Sequence, residues 1–540
     1  MPQLTRRAML RGTTLATGAA LLARPGTAFA QPGTPFAHGV ASGDPLPDGV
    51  VIWTRITPSP DALPGSGAGA PATVRWEIGT DETFATLVRS GSVTATAESD
   101  HTVKVDVTGL QPAQDYHYRF TAPDGVRSPV GRTRTAPATD ADVARLRFGV
   151  VSCANWEAGW FSAYRHLATR DDLDAVIHLG DYLYEYGRGE YGGRNGSVRL
   201  HDPEHEIVSL ADYRTRHAQY KTDPDLQALH ARVPFIVTWD DHETANDAWS
   251  GGAENHDPAA EGDWGTRRAN GMRAYFEWMP VRGDGDRLYR RFRFGTLVEL
   301  SMLDLRSYRD VQVPATSRSV DSGDRSITGR AQMDWLTSGV TSAPTQWKVI
   351  GNPVMIAPIL LPPLDTRTTA ALTSTLGVPA AGLPFNADQW DGYSADRRRL
   401  FDAITAGGVT DTVFLTGDIH SSWAAELPLD AASQPAGATA GTEFVVPSVT
   451  SNNIDDILGV PPRTVSPAAE AALQATNRHL RYVELDSHGF GLFEVAPARA
   501  QMDWYFVTDP EDPAAGVRVA ASMATPSGSQ RLVPAAPLPA

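Results

Sequence analysis

Between residues 33 and 137 apolar and polar positions alternate with a period of two, as in Val103-Lys104-Val105-Asp106-Val107 and Tyr116-His117-Tyr118-Arg119-Phe120. Side chains along a strand face opposite sides in turn, so this pattern with its turn residues predicts a small antiparallel sandwich. A Pro, Ala, Thr and Asp-rich linker at 134–144 follows, and then the pattern changes. Short apolar runs at 148–152, 175–179, 235–238, 297–303, 348–350 and 412–416 read as strands buried on both faces and separated by helical segments. Met272, Tyr275, Phe276 and Met279 recur at helical spacing, which predicts a covering helix over 264–279. The Leu and Pro-rich stretch 357–384 reads as an insertion. Nearly every apolar run ends in a residue capable of chemistry, and layered α/β architectures gather ligands beyond strand ends.

A chain of 540 residues exceeds the usual size of one core, so two domains are expected, at 33–137 and 146–530. A formal charge of −16 argues against a broad nucleic-acid-binding surface. Thr5-Arg6-Arg7-Ala8-Met9-Leu10, a short apolar run and Ala28-Phe29-Ala30 form, in order, a twin-arginine export signal over 1–30. The expected partner is therefore the twin-arginine export machinery, and the expected location is outside the cytoplasm. Arg24 and Pro25 interrupt the apolar run, and no later run approaches the ~20 residues of a transmembrane segment. Cys153 is the one cysteine, which excludes an intramolecular disulfide.

Four short elements carry the candidate chemistry. Val151-Ser152-Cys153-Ala154-Asn155 places a thiol and an amide two residues apart, where both can face one ion. A lone buried Cys is ordinarily a small hydrophobe, and its neighbours are what favour a ligand. In His178-Leu179-Gly180-Asp181-Tyr182-Leu183-Tyr184 glycine permits a sharp turn, Asp181 is a candidate bridging carboxylate, and Tyr184 is either a phenolate ligand or a packing residue. Asp240-Asp241-His242-Glu243 crowds charges that repel one another unless a cation is present, the alternative being a solvated acidic turn. Asp418 and His420 alternate onto one face, and Asn352 offers a neutral oxygen or a turn cap. Thiolate, phenolate and imidazole suit a transition metal whereas Asp and Asn oxygens suit a hard ion, so two unlike metals are expected. Arg306 is a candidate phosphate clamp or else a structural partner of Asp304 or Asp310, and His488, Trp390 and Asp391 are candidates for the rim.

Taken in order, these elements resemble the metallophosphoesterase superfamily across most of residues 146 to 500. Cys153-Ala154-Asn155 stands where that pattern has Asp-x-His, Asp240-Asp241-His242-Glu243 replaces its Asn motif, Asn352 its lone His, and Asp418 the first of its paired histidines. These departures, with Gly180-Asp181-Tyr182-Leu183-Tyr184-Glu185 and Asp304-Leu305-Arg306-Ser307-Tyr308-Arg309, resemble the PhoD-like branch. The resemblance implies an α/β fold, a metallophosphoesterase-type layered β-sandwich flanked by helices. Before it comes a small all-β domain, where Leu110-Gln111-Pro112 and Tyr116 resemble a fibronectin type III corner and Trp76 is the expected core anchor. It also implies iron (Fe3+) at Cys153, Asp181, Tyr184 and His420, with calcium (Ca2+) toward Asp181, Asp241, Asn352 and Asp418; Mn2+ or Zn2+ are the alternatives. The implied activity is secreted hydrolysis of phosphate mono- or diesters by metal-activated water, with His242 polarising the phosphate or protonating the leaving oxygen. The alternatives are a phospholipase D-like phosphodiesterase and, outside catalysis, a cell-surface binding module.

Overall fold

The computed structural model describes residues 34–539 except 284, 286 and most of 362–381. The twin-arginine segment and the interior of the 357–384 stretch lie outside the described residues. Alternation within the short strands sets the layering. In Ala175–His178, Ala175 and Ile177 turn to one side of the sheet and Val176 to the other; in Thr412–Thr416, Val413 and Leu415 oppose Phe414. Two sheets therefore face each other across a core in which Phe148, Val150, Ile177 and Ile236 meet Leu300, Met302, Val349 and Leu415. The outer face of the first sheet packs under helices Ser162–Ala168, Leu210–Tyr220, Pro224–Arg232 and Trp264–Trp278, which contribute Tyr164, Leu167, Tyr213, Leu229 and Tyr275. Helices Arg330–Ser342 and Ser394–Ala406 cover the second with Met333, Leu336, Leu400 and Ile404. The result is a layered α/β fold.

In the ten-stranded first sheet, Leu146–Val151, Ala175–His178 and Phe235–Val237 run parallel as neighbours. In the seven-stranded second sheet, Val298–Met302, Trp347–Asn352, Thr412–Thr416 and Thr439–Val445 do the same. The ends of the two parallel sets meet: Thr238 Oγ1, just past one strand, donates to the Leu303 carbonyl just past another at 2.6 Å. Loops carrying the chemical residues leave from this common rim.

The N-terminal residues form an all-β sandwich, and one of its sheets is continuous with the first sheet. Val40–Leu46, Gly49–Arg55 and Thr102–Thr108 extend that sheet through the parallel pairing of Gly43 with Phe235. Gly43 is required there, because a side chain would collide with the carbonyl oxygens of Pro280 and Phe235. Leu87–Ala95, Ala72–Gly79, Asp115–Thr121 and Gly131–Arg134 form a separate four-stranded sheet, packed on it through Ile52, Val103, Val74, Ile78 and Tyr118. Gln111 N donates to the Tyr116 hydroxyl at 2.8 Å, tying the corner to the strand. Trp76 faces this core but is only half-buried, so the apolar residues around it carry the packing.

The seam is locked by charge. Asp44 is fully buried and accepts from Arg290 at 2.6 and 2.9 Å and from Arg282 N at 2.8 Å. Removing one partner strands the other inside the protein, at about 3–5 kcal/mol. Asp44→Ala is expected to lower the denaturation free energy by that amount, measured in urea.

Candidate active site

Local backbone geometry aims the site residues. Cys153, Asp181, Asp418 and His420 all adopt the left-handed region, with φ of 59, 55, 64 and 54°. Each such L-residue costs roughly 1–2 kcal/mol, so the surroundings must hold it. Cys153 N donates to the Gly180 carbonyl at 3.2 Å and Ala154 N to that of Asp181 at 2.9 Å, clipping the first two loops together. Glu243 joins the third: its carboxylate accepts from Asp181 N, Tyr182 N and Asp240 N at 3.1, 2.6 and 2.8 Å. The crowding of acids in 240–243 read as a sign of a cation or of a solvated turn, and one of the acids is also the staple that fixes the others.

Three groups of ligand-capable atoms result, buried except for the partly exposed Asp418, each with its atoms within 4.8 Å of one another: Cys153 with Asp181 and His420, Asp181 with Asp241 and His242, and Asp240 with Asp241 and Asp418. Asp181 belongs to two of them, as does Asp241. Tyr184 joins the first, donating to Asp181 Oδ2 at 2.9 Å and lying 3.3 Å from His420 Nε2. His420 Nδ1 meets the Asn452 carbonyl at 2.8 Å, which assigns its proton to that nitrogen and leaves the Nε2 lone pair toward Asp181 and Tyr184. His242 Nδ1 lies 2.7 Å from Glu185 Oε2, and its ring packs on Tyr184 at 4.1 Å between centroids. Glu185, the last residue of the Gly-Asp-Tyr-Leu-Tyr-Glu stretch, is thus the group that orients His242, a role no spacing signals.

Other expected residues sit differently. Asn352 Oδ1 accepts from Trp390 Nε1 at 2.9 Å while Nδ2 donates to the Val354 carbonyl and to Thr416 Oγ1. Trp390 is therefore a buried prop for Asn352 instead of a rim residue, and Asp391 is a buried partner of Arg397. His488 lies 2.9 Å from Asp456, outside the three groups. The Asn155 amide is consumed by the Tyr191 carbonyl and Glu157 N, so it does not face the Cys153 group. Arg306 gives Asp304 only its backbone N–H, at 3.2 Å, and turns its guanidinium to acids other than Asp304 and Asp310. Its guanidinium grips Asp240 at 2.5 and 2.9 Å, Asp388 at 3.0 and 3.2 Å and Asp418 at 3.4 Å.

The electrostatics call for cations. Burial pushes Asp181 up to about 6, Asp240 up to about 7 despite Arg306, and Asp418 well above the carboxylate range. Burial, reinforced by Asp181, likewise raises the Cys153 thiol far up. For His242 burial opposes the charged form, yet Asp241, Glu185 and Asp181 together outweigh it and raise its pKa. Asp181 Oδ1 and Asp241 Oδ1 are buried and accept no hydrogen bond. A thiol, two unsatisfied carboxylate oxygens and an imidazole lone pair form a donor set that a metal ion fits, since a bound cation would deprotonate the thiol, hold the carboxylates ionised and accept the lone pair of the neutral imidazole.

Residues 148–504 match the PhoD-like phosphatase family and residues 22–137 match the N-terminal domain of PhoD-like phosphatases. The chain belongs to the PhoD-like phosphatase family, and with it to the phosphoric ester hydrolases. It is 37% identical over 487 residues to alkaline phosphatase D of Bacillus subtilis (strain 168), covering 87% of this chain and 78% of that protein. A solved structure titled Structure of PhoD superposes with a TM-score of 0.82 at 34% identity, over 96% of this chain and 94% of the other.

Gly180 packs directly against the loop that carries Asp240. It holds φ of 109°, and an added Cβ would lie 2.5 Å from Asp240 Cβ and 2.6 Å from Asp240 N. Gly180→Ala is expected to cost about 2–5 kcal/mol through strain and overpacking, and to lower kcat with the thermal midpoint. Melting and initial rates on one preparation check this.

Proposed function

We propose that the chain is an exported, metal-dependent phosphatase that holds two unlike cations in the adjoining groups around Asp181 and Asp241. The observation that carries this reading is the buried Cys153–Asp181–His420 group, which shares Asp181 with an oxygen-rich neighbour. Cys153, Asp181, Tyr184 and His420 would hold a transition metal, iron being the assignment; Asp181, Asp241, Asp418 and Asn352 would hold calcium. Asp240 lies close enough to share that second place. Bound there, such ions supply an acidified water and neutralise charge on the phosphoryl group.

The chain's own residues do the rest. Glu185 and Tyr184 hold His242 facing Asp181 and Asp241, where its imidazolium can bind a phosphoryl oxygen or give a proton to the departing alcohol. Arg306 acts through the carboxylates it holds, keeping Asp240, Asp388 and Asp418 in register. The Thr5-Arg6-Arg7 signal supports export through the twin-arginine machinery, and no helix among the described residues is long and apolar enough to cross a membrane.

The test is the rate on an aryl phosphate monoester against its diester, using natively metallated protein before and after chelation. Loss of turnover on chelation, with recovery on adding iron and calcium, supports the reading; a faster diester would define a phosphodiesterase, phospholipase D-like substrates included. Cys153→Ser is expected to lower bound transition metal, by elemental analysis, and activity by more than about 100-fold, beyond typical outer-shell losses. His242→Ala should slow esters of poor leaving groups by about 100- to 10,000-fold and activated aryl esters much less. Equal losses on both would assign His242 to binding instead of proton transfer.

A further inference from the structure

Glu443 is a fully buried carboxylate that belongs to none of the three metal-binding groups. It stands on strand Thr439–Val445, next to Thr412–Thr416, and neutral donors surround it. Ile356 N at 2.9 Å and Thr416 Oγ1 at 2.7 Å reach its Oε1, and Ala357 N at 2.8 Å reaches its Oε2. Burial pushes Glu443 up to about 7, and the charge that bears on it most is Asp391, of like sign. Above that pH it is a carboxylate and can only accept. A buried charge answered by neutral groups is costly. An amide of the same shape would avoid that cost, but it accepts on one oxygen only and would set its own N–H groups against one of these donors.

Strand register places Asn352 beside Thr416, two residues before Asp418. Thr416 Oγ1 spends its one hydrogen on Glu443, so toward Asn352 it can only accept, and it does so from Nδ2 at 3.0 Å. Glu443 also fixes the segment that follows Asn352, through the tied N–H groups of Ile356 and Ala357. In that segment the Val354 carbonyl accepts from Asn352 Nδ2 at 2.6 Å. The Met355 carbonyl accepts from Trp390 N at 3.2 Å, holding the indole whose Nε1 donates to Asn352 Oδ1 at 2.9 Å. Each contact that orients the amide thus leads back to one carboxylate. Its negative charge polarises the chain through Thr416 to Nδ2, and a chain polarised in this way makes the amide oxygen at its far end more basic. That oxygen has two lone pairs, of which Trp390 uses one.

We infer that Glu443 is a positioning residue, acting through Thr416 and the 353–357 segment to set the orientation and basicity of Asn352 Oδ1 for a calcium ion. This rests on the reading that Asn352 holds calcium. The test uses the natively metallated full chain, stripped of calcium by a chelator selective for calcium over transition metals. Calcium alone is titrated back by calorimetry, and transition-metal content is followed by elemental analysis. Glu443→Gln is expected to weaken calcium binding by about 10- to 100-fold, the loss usual for a partner that orients a metal ligand. Thr416→Val, which breaks the relay and leaves Glu443 its backbone donors, should weaken it by about tenfold. Thr416→Ser, which keeps the hydroxyl, should stay within about threefold of the wild type. Transition-metal content is expected to be unchanged in all three. Asn352→Leu, which removes the amide, separates the two readings. No calcium binding by the wild type, or none lost in Asn352→Leu, would overturn the assignment of calcium to Asn352 and the inference with it. Weakened binding in Asn352→Leu beside wild-type binding in Thr416→Val, or in folded Glu443→Gln, would overturn the inference alone. Parallel loss of calcium and transition metal in Thr416→Val would overturn it too, since the effect would then be a general loosening of the site. Should Glu443→Gln fail to fold, the two Thr416 variants decide.

Discussion

The carboxylates of Asp181, Asp240 and Asp241, all buried, and of the partly exposed Asp418 meet where strands of both sheets end, and much of the remaining architecture answers to their mutual repulsion. Arg306 supplies fixed positive charge on one side, 3.8 Å from Asp241 Oδ1, and His242 on another, but Oδ1 of Asp181 and Oδ1 of Asp241 accept no hydrogen bond. Those oxygens, and the thiol between them and His420, make the centre a place that favours bound cations. Four site residues are held in left-handed backbone as well, so the loops store strain that ion binding can offset.

Support for the ligands comes from residues whose part is indirect. Glu243 receives three backbone N–H groups from two loops, Glu185 orients His242, and Trp390 fixes the amide of Asn352. Such outer partners set tautomer, rotamer and distance, and their geometry tunes an active centre as much as the ligands do.

Much of this was legible in the sequence where the signal was local. Short continuous apolar runs marked the strands of the second domain, and the polar residues just after them marked Cys153, Asp181, Asp241, Asp418 and His420, which the fold brings into shared groups. Long-range pairing was not legible. Nothing in the spacing of Arg306 points to Asp240 or Asp388 over Asp304 or Asp310, because guanidinium partners are chosen by the packing of distant loops. The same limit hid Trp390 behind Asn352 and the sheet shared between the N-terminal strands and the catalytic layer. Asn155, placed beside Cys153 by sequence, turns away because backbone groups claim its amide.

That shared sheet has a consequence for how the molecule comes into being. Strand Val40–Leu46 finds its partner at Phe235, and Leu146–Val151 pairs with Gly489–Ala496 near the other end of the chain. The ion pair of Arg147 with Glu494 spans 347 positions. Contacts so remote in the chain make the contact order high, and folding correspondingly slow, because loop closure precedes the stabilisation it brings. Neither the N-terminal strands nor the catalytic loops can complete their sheet until the last strands have been synthesised, so assembly is a late, collective event and the partly made chain exposes open sheet edges.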